Sequence, residues 1–150
     1  MRTEILPAGD MPAMTADHMR QAIAAAYGAY ETDDRETLER LIAPDFTFTS
    51  PYDDGIDREA YFQRCWPNHE TIAKMKVERV FIEGDGAFVT YLGKATSGRS
   101  FRNTEYLTFR GGKIASVEVY FGAEYRDGRF LAADLRHPNR PDGEPSPAAH

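Results

Sequence analysis

Asn103-Thr104-Glu105-Tyr106-Leu107-Thr108-Phe109, Gly111-Gly112-Lys113-Ile114 and Ser116-Val117-Glu118-Val119-Tyr120-Phe121-Gly122 form the stretch whose reading decides the fold. Two β-rich runs flank a glycine pair that can take the positive φ of a tight reversal, so the stretch is an antiparallel hairpin. Upstream, Gly84-Asp85-Gly86 and Ser97-Gly98 separate further runs of the same kind. Lys76 to Glu83, Ala87 to Thr96, Phe101 to Arg110 and Ile114 to Phe121 therefore read as a four-strand meander.

The preceding segment has helical periods. Thr15 is a candidate N-cap with Asp17 in the first turn, and Met19, Ile23, Ala26, Tyr27 and Tyr30 recur at spacings of three and four. Asp33 and Glu36 have capping-box spacing before a short stripe of Leu38, Leu41 and Ile42 that Pro44 closes. Phe46, Phe48 and Ser50 alternate with Thr47 and Thr49, a strand period that Pro51 ends, and Tyr52 to Gly55 reads as a turn. Asp57 can cap a third helix bearing Tyr61, Phe62, Cys65 and Trp66 on a broad apolar face, stopped at Pro67. Helices first and strands afterwards is an α+β order, with the helices on one face of a curled sheet.

At 150 residues and 41% hydrophobic content, the chain is the size of one domain and can bury a core without metals or disulfides. Residues 15–135 are expected to form it, after an arm at 1–14 and before a Pro-rich tail at 136–150. Whether Glu124 to Leu135 adds an edge strand or packs on the sheet is open. Eighteen basic against 24 acidic residues give a net charge of -6, which disfavours nucleic acid and anionic membranes as partners. The single cysteine, Cys65, cannot form an internal disulfide and no apolar run approaches a membrane span, so a cytoplasmic protein is expected.

The amphipathic helix leading into Asp45-Phe46-Thr47-Phe48-Thr49-Ser50-Pro51, together with the late hairpin, resembles the cone-shaped α+β family of nuclear transport factor 2, ketosteroid isomerase and the SnoaL-like polyketide cyclases. The likeness runs from about Ala16 to Gly122. It implies a curved mixed or antiparallel sheet (a cystatin-like roll) with the N-terminal helices on its concave face. It also implies an apolar small-molecule pocket at the open end, and a homodimer formed through the outer sheet face.

Strand alternation puts Phe101, Asn103, Glu105, Leu107 and Phe109 on one face, so Glu105 shares its side with apolar neighbours. A carboxyl so placed has its pKa raised by desolvation, as a neutral-pH acid or base requires. Alignment with the isomerases sets Glu105 where that family keeps a protonated aspartate that donates to the substrate oxyanion. The same alignment sets Ser50 at their general-base aspartate and Ala26 at their oxyanion tyrosine, with Tyr27 adjacent and Tyr30 a turn further on. The epoxide hydrolase pattern of Arg and Asp two apart on a strand finds only Arg102 with Thr104. Glu118 alternates onto the opposite face, with Arg102, Tyr106, Thr108 and Tyr120, which is the surface suited to a two-fold contact. Candidate catalytic residues are thus Glu105, Tyr27, Tyr30 and, overhanging the pocket mouth, His69. Phe48, Ser50, Tyr52, Phe62, Trp66, Asn103 and Leu107 are candidate ligand-binding residues.

His18, His69, His137 and His150 lie far apart and in no metal-ligand spacing, and the glycines sit in hairpin turns rather than a phosphate-binding loop. No metal or cofactor is expected. The expected function is a cofactor-free isomerase, cyclase or hydrolase using Glu105 as acid/base or oxyanion donor. A non-catalytic ligand-binding or dimerisation protein of the same fold is the alternative.

Overall fold

The computed structural model describes residues 14–131. The tail at 136–150 and all of the expected arm except Met14 lie outside this range. Helices α1 (Ala16–Thr32), α2 (Arg35–Leu41) and α3 (Arg58–Arg64) pack on one face of a curved, unclosed mixed sheet. Its strands are β1 (Ile42–Ser50), β2 (Asp53–Asp57), β3 (Ile72–Glu83), β4 (Gly86–Ala95), β5 (Ser100–Arg110), β6 (Lys113–Tyr120), β7 (Glu124–Arg126) and β8 (Arg129–Phe130). The main path runs β2-β1-β6-β5-β4-β3, with β7 pairing an end of β5.

The expected meander is present, within a residue or two at most ends, as β3 to β6, except that β3 begins at Ile72. Every pairing is antiparallel except β1 with β6, where Phe48 lies beside Val117. Thr15 caps α1 as expected, its hydroxyl accepting from the His18 amide at 3.2 Å. The next cap is displaced by one residue. Asp33 ends α1 in the left-handed region (φ 55), and Asp34 caps α2 by accepting from the Thr37 amide at 3.1 Å. A tight link between two helices needs one residue to reverse and the next to cap, and adjacent aspartates fill both roles.

Three further expectations are corrected. Pro44 does not close α2: the helix ends at Leu41 and Pro44 lies within β1, ahead of the stretch that pairs with β2. A missing amide is tolerated where no ladder bond is lost. Tyr52 to Gly55 is more than a turn, because the chain folds straight back as β2, pairing Ile56 with Phe48. Pro67 does not halt the chain after α3 but sits at the start of a 3-10 helix, Trp66–Thr71. The segment left open carries β7 and β8, with Glu124 buried opposite Phe101.

Met19, Ile23 and Tyr27 of α1 pack with Phe46, Val89, Leu107 and Ile114 of the sheet. Burying such side chains contributes roughly 1.5–3 kcal/mol each before chain entropy is charged. On the other sheet face Phe81, Phe88 and Tyr120 are 68%, 49% and 55% exposed, so among the described residues no helix covers this face. Glu118 lies exposed on it, as its alternation requires.

Gly122 follows β6 against the backbone of β5, where an added Cβ would overlap the Arg102 carbonyl oxygen. Backbone cannot yield as a side chain can. Gly122→Ala is expected to lose at least about 2 kcal/mol. Gly28→Ala, with open space around its Cβ inside α1, should gain up to about 1 kcal/mol. Urea unfolding of the two variants checks the pair.

Candidate functional site

Sheet curvature and the helices enclose a cavity of about 330 Å³. This is the small end of ligand pockets and roughly the space of ten water molecules. Its wall is mostly apolar, with Phe46 and Phe48 of β1, Leu107 of β5 and Val117 of β6.

Glu105 enters this wall because residues of β5 alternate, and Phe101, Asn103, Leu107 and Phe109 of the same face are all buried. Tyr27 meets it from α1, donating its hydroxyl to Glu105 Oε2 at 2.5 Å. Tyr91, opposite Asn103 on β4, also donates to the Glu105 carboxylate and itself accepts from Asn103 Nδ2 at 3.0 Å. Asn103 Oδ1 takes the Gly122 amide at 3.0 Å. A relay of hydrogen bonds thus anchors the carboxyl to three separate parts of the chain.

Burial raises the Glu105 carboxyl and the two tyrosine hydrogen bonds lower it by less, leaving it at about 7. Glu105 keeps some accessible surface because it borders the hollow, yet protein surrounds it closely enough for desolvation to dominate. The tyrosines are raised too and stay phenols: burial first, then the neighbouring Glu105 charge, hold Tyr27 and Tyr91 well above their ordinary value.

Tyr30 does not reach Glu105; its hydroxyl pairs with that of Tyr61 from α3. One hydroxyl hydrogen lies between the two oxygens, which leaves the other hydrogen of the pair without a protein acceptor among the described residues. Both tyrosines line the cavity. Cys65 lines it too, but burial pushes its thiol up to about 12, so it stays protonated and unreactive.

Of the other expected residues, Phe48, Ser50, Tyr52, Asn103 and Leu107 border the cavity. His69 is placed elsewhere: the 3-10 turn stacks its ring on Trp66 at 4.6 Å and points Nε2 toward Asp33 at 3.5 Å. Trp66 packs on Tyr30 behind the wall. Phe62 is buried in the core outside the cavity wall, with the Arg35 guanidinium 4.7 Å from its ring.

Three features escaped the sequence reading. Tyr91 could have been found by continuing the inward alternation of β4 through Ala87 and Val89. Tyr61 reads as part of the apolar face of α3, and the sequence carries no sign of where its hydroxyl goes. Asp53, read as part of a turn, is nearly buried at the cavity edge, where Arg64 Nη2 lies 2.8 Å from its Oδ1 and Ser50 donates to its Oδ2 at 2.9 Å. No local signal announces that pairing.

Residues 23–117 match the model of the SnoaL-like domain. The chain belongs to the SnoaL-like family. No curated protein matches it. Among solved structures similar to this SnoaL-like chain is a proposed ketosteroid isomerase from Kribbella flavida, 16% identical, covering 88% of this chain and 92% of its own (TM-score 0.63). A nuclear transport factor 2-like protein of unknown function from Burkholderia xenovorans is 22% identical over 80% of this chain and 91% of its own (TM-score 0.62). A proposed hydroxylase from Streptomyces galilaeus is 13% identical over 72% and 81% (TM-score 0.60). At such identities the likeness establishes the SnoaL-like fold and leaves the reaction to the site.

The elevated carboxyl has a consequence for stability. Unfolded, Glu105 returns to about 4.5, so between roughly pH 4.5 and 7 the folded chain holds a proton that the unfolded chain has released. Glu105 therefore favours folding most at low pH, and that contribution falls away as pH rises toward 7, by up to about 3 kcal/mol. Carboxylates held low by partners, such as Asp45 beside Arg110, act in the opposite sense at lower pH. Subtracting the Glu105→Gln curve from that of the unaltered protein isolates the effect. The difference should decline from pH 5 to 7 and then level off.

Proposed function

We propose that this SnoaL-like protein is a cofactor-independent acid/base enzyme of isomerase or cyclase type, acting on a small, largely apolar carbonyl compound. The observation that carries this reading is Glu105: a carboxyl near neutrality, on an apolar cavity wall, fixed by two phenols. In its ionised form it takes a proton from carbon next to the substrate carbonyl, and the released electron pair moves onto the carbonyl oxygen as an enolate. The uncommitted hydroxyl of the Tyr30–Tyr61 pair supplies a donor for that oxygen. Returning the proton to a different carbon gives an isomerase; attack of the enolate carbon on a second carbonyl closes a ring. Protonated Glu105 can donate to an oxyanion instead, and the direction of the pH–rate profile separates the two roles.

Ser50, at the isomerases' base position, donates to Asp53, which fits its having no part in proton abstraction. The cavity volume favours one or two rings over a larger polycycle. The test is deuterium exchange at C1 of 2-tetralone in D2O, followed by NMR. Exchange above the buffer rate that Glu105→Gln abolishes supports the proposal, and exchange at the buffer rate opposes it. A non-catalytic role is the second reading, favoured by the uncovered aromatic outer face, where Phe88 and Tyr106 lie 4.7 Å apart. That face suits a two-fold homodimer, and enzyme and dimer are compatible.

A further inference from the structure

We infer that Arg64 and Asp53 form a second polar subsite of the cavity, and that it takes a neutral acceptor oxygen on the far end of the molecule whose carbonyl faces Glu105. The inference rests on the reading of the cavity as a substrate site and adds what that substrate must carry.

Arg64 and Asp53 both border the cavity, with side chains only 29% and 9% exposed. The pair is held only in part: Asp53 Oδ1 lies 2.8 Å from Arg64 Nη2 as an ion pair but has no hydrogen-bond partner among the described residues, while Oδ2 accepts the Ser50 hydroxyl, and Ser50 in turn accepts the Tyr52 amide at 3.1 Å. Arg64 Nε is unmatched as well. It is buried and has no hydrogen-bond partner among the described residues. A buried guanidinium N–H left unmatched in a ligand-sized hollow is a donor waiting for an acceptor.

The charge balance says which acceptor. Arg64 is already neutralised by Asp53, so a carboxylate brought to Nε would also face the Asp53 charge in a poorly solvated place. A ketone, ether or hydroxyl oxygen meets the donor without that repulsion. Spacing sets the rest. Asp53 is on β2 and Glu105 on β5, three strand intervals apart in the sheet, on the order of 14 Å along it and less across the curved hollow. Cys65 borders the same cavity. A molecule that uses both ends has a compact apolar body with an oxygen at each pole.

The experiment compares 6-methoxy-2-tetralone, 6-ethyl-2-tetralone and the 6-carboxylate of 2-tetralone by NMR titration at pH 8. The first two are similar in size and differ in the acceptor oxygen. The methoxy compound should bind about tenfold tighter than the ethyl compound, and the carboxylate no tighter than the ethyl. Arg64→Lys keeps the charge beside Asp53, and so the fold, but lacks the Nε donor; it should erase the methoxy advantage and leave the ethyl Kd within twofold. In the unaltered protein the Arg64 Nε–H resonance should move downfield with the methoxy compound alone, a readout independent of any variant. Equal binding of methoxy and ethyl compounds, or an advantage that survives Arg64→Lys, overturns the subsite and leaves the Glu105 reading standing. Failure of all three to bind overturns both.

Discussion

Glu105→Gln is expected to lower C1 exchange of 2-tetralone by at least about a hundredfold while leaving the protein folded, and at pH 8 more stable than before. Positioned acid/base catalysis contributes about 10²–10⁴ in rate, and glutamine has no proton-accepting form at neutral pH. Stability moves the other way because the carboxylate is costly where it sits. Above pH 7 its charge is held in an apolar wall, and the amide relieves that cost while still accepting from Tyr27. Loss of turnover with gain of stability is a combination that a merely structural carboxyl does not produce. If Glu105 is the base, kcat/KM in the unaltered protein rises through an apparent pKa of about 7 and stays high above it; if it is an oxyanion donor, the rate falls over the same interval. Pre-steady-state exchange measured from pH 5 to 9 reads both.

The second large effect lies outside the cavity. Arg99 and Glu124 form an ion pair with side chains only 7% and 1% exposed, where β7 joins the end of β5. Taking two charges out of water is expensive, and their attraction offsets that cost only while both are present. Arg99→Met leaves the Glu124 carboxylate buried without its guanidinium and should cost about 3–5 kcal/mol, a large part of a domain's typical 5–15. The melting temperature should fall on the order of 10 °C or more. Glu124→Leu alone should also destabilise. Together, Arg99→Met and Glu124→Leu replace the pair by apolar side chains and should recover most of the loss. Additive losses in the double variant, seen by calorimetry, would show that the pair is not the coupled unit described.

Much of the architecture was legible because local chemistry repeats along the chain. Gly84 to Gly86, Ser97-Gly98 and Gly111-Gly112 mark reversals, and between them the period of two puts Glu105 on the same face as Leu107 without reference to anything distant. What stayed hidden depends on partners far apart in sequence. The parallel seam of β1 on β6 joins segments about seventy residues apart and has no local signature. β2 has the composition of a loop and becomes a strand because β1 offers it an edge. Asp53 reads as a turn residue for the same reason, since only folding brings Arg64 across to it.

The site shows the same division. Tyr27 and Tyr30 lie on one helix face, and nothing local says which phenol faces Glu105; the docking of α1 on the sheet gives it to Tyr27, and Tyr61 captures Tyr30. Following α3 in the chain, His69 reads as overhanging the pocket mouth. The 3-10 turn instead folds it against Trp66.

The most direct measurement is the titration of the Glu105 carboxyl itself, by NMR of protein labelled at glutamate Cδ, with the resonance assigned by its loss in Glu105→Gln. A midpoint near pH 7 is predicted, displaced upward by burial and held from going further by Tyr27 and Tyr91. Tyr27→Phe should raise it again, since a hydrogen bond to the charged form is removed. A midpoint at the ordinary 4.5 would contradict the central claim, because a carboxyl that titrates as though in water is not desolvated in an apolar wall.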